Sequence, residues 1–156
     1  MRQVAILMGS KGDLPHCERI RDALARFGIG ALLQIASAHK TPERLLGIIR
    51  QLEPRVELFI TVAGRSNALS GMVDAQTYRP VIACPPYSER FGGVDIFSSL
   101  RMPSGVSPLV ILEPEEAALA AAKIIGLHDP KVREKVIRYQ EEKRMEIERA
   151  SEELQG

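Results

Sequence analysis

Three short polar stretches hold most of the side chains in this sequence that could do chemistry: "GSKGD" (9–13), "SAHKT" (37–41) and "GRSNALSG" (64–71). The second contains His39, one of three histidines in the chain, with Lys40 beside it. An imidazole titrates near 6.5 and carries protons in either direction around neutral pH. A fixed ammonium next to it suits an anion such as a phosphate. In the first stretch, Ser10 and the loop amides offer a phosphate site, while the Asp13 carboxylate can accept bonds from sugar hydroxyls. In the third, two glycines permit close backbone approach or unusual dihedrals, and the small side chains leave room for a ligand.

Simpler structural roles compete with each of these. "GSKGD" is neither a Walker loop nor part of a GxGxxG pattern. Taken alone, it is better explained as a turn with an aspartate helix cap. Thr41 supplies a helix cap with Pro42 at the first helical position, so His39 and Lys40 are not needed for that turn. "AGRSNALSG" can be a turn that opens a helix at Ser66 or Asn67. His16, in the first turn of a helix, and His128, beside a cap, are read as structural or exposed.

The elements that must position these loops are short apolar runs alternating with amphipathic ones. Strands are predicted at "QVAILM" (3–8), "ALLQIA" (31–36), "ELFITVA" (57–63), "PVIAC" (80–84) and "PLVILE" (108–113). They are almost continuously apolar, as strands covered on both faces of a parallel sheet are. Asp13 caps a helix through "LPHCERIRDALARF" that Gly28 closes, Thr41 caps the next, and Pro114 starts another. "SNALSGMVDAQ" and "VDIFSSLR" carry weaker helical patterns. The alternation predicts an open α/β sheet with helices on both faces. Ligands in such sheets bind beyond the carboxyl ends of the strands, near the switch in strand order. The three polar loops follow strands one to three, and each runs into a helix N-terminus, where backbone N–H groups favour anions.

The chain of 156 residues is expected to form one domain, 1–156, with an ordinary 45% hydrophobic and 26% charged content. A formal charge of +1 gives no electrostatic case for nucleic acid. No apolar run approaches the roughly 20 residues of a membrane span, and the N-terminus lacks a signal peptide's pattern. Cys17 and Cys84 have no metal-ligand spacing, which fits reduced thiols in a cytoplasmic protein. Residues 131–153 hold seven basic and seven acidic side chains. Val132, Val136, Tyr139, Lys143, Ile147, Ala150 and Leu154 form a thin stripe at helical spacing. A solvated helix would account for it, but so narrow a stripe suits contact with a neighbouring subunit better than burial in a core. Residues 129–156 are therefore expected to be an oligomerisation helix.

Five blocks in order, "MGSKGD", "SAHKTPE", "VAGRSNALSG", "IACPP" and "SSLRMPSG", resemble the phosphoribosylaminoimidazole carboxylase family, the PurE type, over about residues 4–127. The resemblance implies a flavodoxin-like three-layer sandwich with a central parallel sheet, here followed by a C-terminal helix. It also implies a homo-oligomer, commonly an octamer. Class I members are mutases that move a carboxylate from N5-carboxyaminoimidazole ribonucleotide to the ring carbon. Their loops typically read AGGAAHLPG and SAHRT. This chain has Ala68 where the former has histidine and Lys40 where the latter has arginine, and so resembles class II. That branch adds CO2 directly to 5-aminoimidazole ribonucleotide (AIR) in purine biosynthesis, giving 4-carboxy-AIR without ATP, biotin, metal or other cofactor.

Carried over by position, the resemblance makes His39 the general acid/base and Ser10, Asp13, Ser37, Lys40, Gly64 and Ser66 substrate contacts. The family's first loop commonly reads GSxSD, so Gly12 lacks a hydroxyl expected near the phosphate, and weaker phosphate binding is expected. Two alternatives stand beside the carboxylase: the class I mutase, and a non-catalytic flavodoxin-like module binding a nucleotide or accepting a phosphoryl group. A receiver module would place an aspartate after strand three, where "AGRS" stands. A flavin module would want stacking aromatics, and the chain has no Trp and three Tyr.

Overall fold

Each apolar run contributes a strand whose successive side chains point to opposite faces, and both faces of the three central strands are covered. The structure, a computed structural model, describes residues 1–155. Gly156, the end of the expected domain and tail, lies outside the described residues. The strands are β1 (Gln3–Met8), β2 (Gly30–Ile35), β3 (Leu58–Val62), β4 (Val81–Ala83) and β5 (Leu109–Val110), all parallel, in the order β2-β1-β3-β4-β5. The helices are α1 (Leu14–Arg26), α2 (Pro42–Leu52), α3 (Ala68–Asp74), α4 (Pro114–Gly126) and α5 (Pro130–Glu153).

Alternation along the strands sorts the core into two sides. Val4, Ile6, Met8, Leu58, Ile60 and Val62 pack with α1, α4 and the start of α5. Ala5, Leu7 and Phe59 pack with Leu45, Ile48, Ile49 and Leu52 of α2 and with Leu69 and Val73 of α3. This is the expected three-layer α/β sandwich. Ala117, Ala118, Ala121 and Ala122 of α4 are fully buried, so small side chains bring that helix close to its neighbours.

Four expectations change in detail. The fifth strand was expected over 108–113 but pairs only at Leu109–Val110, because it lies at an edge against a three-residue partner. "VDIFSSLR" belongs to 3₁₀ turns over Arg90–Ser99, broken by left-handed Phe91, Gly92 and Gly93. Asp13 and Thr41 occupy N-cap positions, but neither side chain makes a capping bond. Asp13 ends a 3₁₀ turn, Lys11–Asp13, which aims its carboxylate back at Ser10, and the Thr41 hydroxyl is bonded to Ser37.

The tail stripe divides in two. Val132 and Val136 are buried in the chain's own core, and Tyr139 meets Phe27 edge-on with ring centroids 5.4 Å apart. The expectation that the stripe avoids the core fails for these first turns, because α5 folds back against α4. Beyond them, Ile147 and Leu154 are exposed. Asp129 caps α5 through Lys131 and Val132 and also receives Arg2 at 2.9 Å. The same Arg2 reaches Glu57 at 2.7 Å, tying the helix start to the sheet.

Candidate active site

The strand order places β1 between β2 and β3, so the chain leaves β1 first to one side and later crosses to the other. The switch therefore lies between the carboxyl ends of β1 and β3. Loops 9–13, 37–41 and 64–67 sit side by side at that edge, since their strands are neighbours. The Gly9 N–H donates to the Val62 carbonyl at 3.1 Å and the Ala36 N–H to the Met8 carbonyl at 3.0 Å, locking the three loop roots together.

In the first loop the Ser10 N–H and hydroxyl both lie near Asp13 Oδ2, at 3.3 and 3.4 Å. A Cβ added at Gly12 would sit 3.5 Å from Ser10 Oγ, an ordinary contact, so the turn has room for the serine that this chain lacks. The second loop is a self-contained turn. Thr41 Oγ1 accepts from the Ser37 N–H at 2.9 Å, and Ser37 Oγ accepts from the Lys40 N–H at 3.1 Å. Those bonds engage the polar backbone and leave the side chains of His39 and Lys40 exposed.

The third loop brings its serine to the histidine: Ser66 Oγ lies 3.5 Å from His39 Nε2. Arg65 and Asn67 on either side of Ser66 have left-handed backbones, with φ of 58° and 31°. Asn67 is the N-cap of α3, settling the choice between Ser66 and Asn67, and its side chain accepts from the Ser70 N–H. The fold thus gathers Ser10, Asp13, Ser37, His39, Lys40, Gly64 and Ser66 at one edge. Of these, only His39 and Ser66 come within hydrogen-bonding distance of each other across loops.

A cavity of about 440 Å³ lies next to this cluster, on the β3–β5 side, and shares Gly64 with it. His39 and the first-loop residues do not line it. Its walls include Arg65, Asn67, Pro86, Ser99 and His16. His16 was read as structural or exposed; it is half-buried, with Nε2 3.1 Å from the Cys84 carbonyl oxygen and 3.4 Å from Cys84 Sγ. Burial lowers its pKa, opposed by the bond to the Cys84 carbonyl. Burial also pushes the Cys84 and Cys17 thiols up to about 12, away from reactive thiolate. No sequence signal pointed to His16 as a cavity wall, because its partner is 68 residues away. Among the described residues no group of three or more His, Cys, Asp and Glu side chains could hold a metal ion, and no helix is long and apolar enough to cross a membrane.

Comparison with known proteins agrees with this fold. The family model described as AIR carboxylase matches residues 3–146. A phosphoribosylaminoimidazole carboxylase of Archaeoglobus fulgidus is 61% identical over 152 residues, covering 97% of this chain and 84% of that protein. One from Treponema denticola is 49% identical, covering 92% of each. The mouse bifunctional phosphoribosylaminoimidazole carboxylase/succinocarboxamide synthetase is 46% identical over 131 residues, 81% of this chain and 30% of that protein. The crystal structure of Treponema denticola PurE superposes with a TM-score of 0.97 at 46% identity, covering all of both chains. Family model, close relatives and fold agree, and the chain belongs to the AIR carboxylase family.

Proposed function

We propose that this protein carboxylates AIR directly with CO2 to give 4-carboxy-AIR, reversibly, as a class II enzyme of purine biosynthesis. The observation that carries the class is Ala68. It opens α3 immediately behind the Gly64–Asn67 turn, where a class I mutase would place an imidazole beside the migrating group. A small apolar side chain there suits CO2, which is neutral and compact. The 46% identity to a bifunctional animal carboxylase supports the same branch.

The aminoimidazole ring carbon is an enamine-like nucleophile and attacks CO2 without prior activation of the gas. The new C–C bond leaves that carbon bearing both a hydrogen and the carboxylate. His39 removes the proton, the ring regains aromaticity, and the balance is AIR plus CO2 giving 4-carboxy-AIR and H⁺. In reverse the same imidazole returns the proton before CO2 departs. Ser10, Asp13, Ser37, Lys40, Gly64 and Ser66 hold the ribonucleotide, with Lys40 supplying charge for the phosphate. Ser66 Oγ, 3.5 Å from His39 Nε2, is placed to orient the ring.

The test is a donor assay with purified protein. AIR and labelled CO2 without ATP should yield labelled 4-carboxy-AIR at a rate that follows CO2 ahead of its equilibration with bicarbonate. N5-carboxyaminoimidazole ribonucleotide should react only through breakdown to AIR and CO2. Rapid conversion of that compound in a CO2 trap, with AIR plus CO2 inert, would assign the chain to the mutases instead.

The protein acts in the cytoplasm as a homo-oligomer of the octameric kind, with the outer part of residues 129–156 lying on a neighbouring subunit. The exposed Ile147 and Leu154, continuing a stripe whose inner end is buried, support this. Removing residues 144–156 spares Val132, Val136 and Tyr139, and should lower the mass measured by light scattering while the sheet survives. An unchanged mass would make the outer helix a solvated tail.

A further inference from the structure

The turn that carries Ser66 is held by a buried polar chain running in one direction. The Ser70 N–H donates to Asn67 Oδ1, which fixes the carboxamide's orientation and turns Nδ2 the other way. The Ser70 hydroxyl also donates to Asn67 Oδ1 at 2.8 Å, so Thr61 must be the donor in its 2.8 Å contact with Ser70. Asn67 Nδ2 then donates to Ser99 Oγ at 2.6 Å. Thr61, Ser70, Asn67 and Ser99 are all 4% exposed or less, so water does not compete for these bonds.

Helix capping explains only half of this chain. The acceptor side of Asn67 serves α3; the donor side adds nothing to the helix and instead joins the turn to a segment 32 residues further on. The neighbouring Ser98 hydroxyl donates to the Arg65 carbonyl at 2.8 Å. Consecutive serines therefore fasten the two left-handed residues of the turn, Arg65 and Asn67, and Ser66 lies between them. A left-handed backbone is strained for a residue with a side chain, and asparagine tolerates it best when its amide is bonded locally.

We propose that Asn67 is a positioning residue for the carboxylation site: with Ser98 and Ser99 it holds Ser66 against His39, so that segment 90–99 sets the proton-transfer geometry. The catalytic part of this inference rests on the role assigned to His39 above; the structural part does not.

Ser99→Ala and the double variant S98A/S99A cut the tether while leaving the Asn67 Oδ1 cap on Ser70 intact. Asn67→Gly keeps the left-handed backbone easy and removes the carboxamide's bonds to both Ser70 and Ser99. Each should lower kcat for AIR carboxylation about tenfold or more, with KM for AIR changed less than about threefold, as expected when a reacting group is misplaced by a fraction of an ångström. In protein carrying isotope-labelled histidine, the His39 ring resonance, assigned by its loss in His39→Asn, should move or broaden, and that of His128 should not. The resonance needs no turnover, so it decides the positioning claim even if the wild-type protein proves inert toward AIR and CO2. If Asn67→Gly does not fold, the serine variants decide. A His39 resonance and kcat both matching wild type in S99A and S98A/S99A, with only thermal stability lowered, would overturn the proposal. A moved resonance with unchanged kcat would overturn its catalytic half.

Discussion

The turns at 37–41 and 64–67 meet at the same sheet edge, yet they are built in opposite ways. The first holds itself together: its bonds run between Ser37, Lys40 and Thr41, within four residues and near the surface. The second is held by residues 32 and 33 positions away, through a buried bond from Asn67 to Ser99 and a more exposed one from Ser98 to the Arg65 carbonyl. A local turn can present side chains to solvent without help from the rest of the molecule, and it presents His39 and Lys40. A turn with two left-handed residues needs support from other elements, and it receives it from β3, α3 and segment 90–99. One loop supplies an exposed imidazole, and the other supplies the fixed surface that the imidazole approaches.

The largest effect should come from the exposed side. His39→Asn removes the only ring nitrogen base in the three loops and should lower turnover at least about a hundredfold. The ring's one polar contact is the 3.5 Å approach to Ser66, so the thermal unfolding midpoint should barely move. Near-wild-type turnover in the purified variant would take His39 out of the mechanism.

Stability should show the reverse order. Ser70→Ala breaks the buried chain in the middle, leaving the Thr61 hydroxyl without its partner, and should cost about 1–3 kcal/mol in denaturant unfolding. Ser37→Ala removes an acceptor from an exposed N–H that water can satisfy, and should cost less than about 1 kcal/mol. Equal losses in the two variants would erase the distinction between a locally built and a tertiary turn.

The smallest effect concerns pH on the cavity side of the third loop. Burial lowers the His16 pKa below its ordinary 6.5. Above that value the ring is neutral in both folded and unfolded chains. As pH falls below it, the unfolded chain takes up a proton that the folded one refuses, so stability declines until the folded pKa is passed and then levels off. His16→Gln should remove that component of the slope, measured as the change in unfolding midpoint across mildly acidic pH. The half-buried position keeps it modest.

Most of the architecture was legible because it depends on short-range pattern. Apolar runs of strand length with capped amphipathic stretches between them indicated the parallel sheet, and Pro42 and Pro114 marked helix starts that the structure places at those residues. Five ordered blocks made the family legible too. What misled was side-chain engagement. Asp13 and Thr41 stand at cap positions, but each has a nearer serine partner that a cap rule does not weigh. In α5 the stripe pattern is the same in both halves; only the fold-back onto α4 decides that Val132 and Val136 are core and Ile147 is not.

Sequence by itself determined the sheet, the sheet edge where the three polar loops gather, and the side chains available there, because strand and helix periods and helix-start chemistry act within a few residues. The tertiary structure alone decided that His16 faces a cavity against Cys84, that Asn67 rather than Ser66 opens α3, and that Ser98 and Ser99 clamp the site turn. The bonds to Cys84, Ser98 and Ser99 join residues far apart in the chain, and the buried Asn67–Ser99 bond, which fixes the capping residue, draws its strength from exclusion of water, which exists only once the layers have packed.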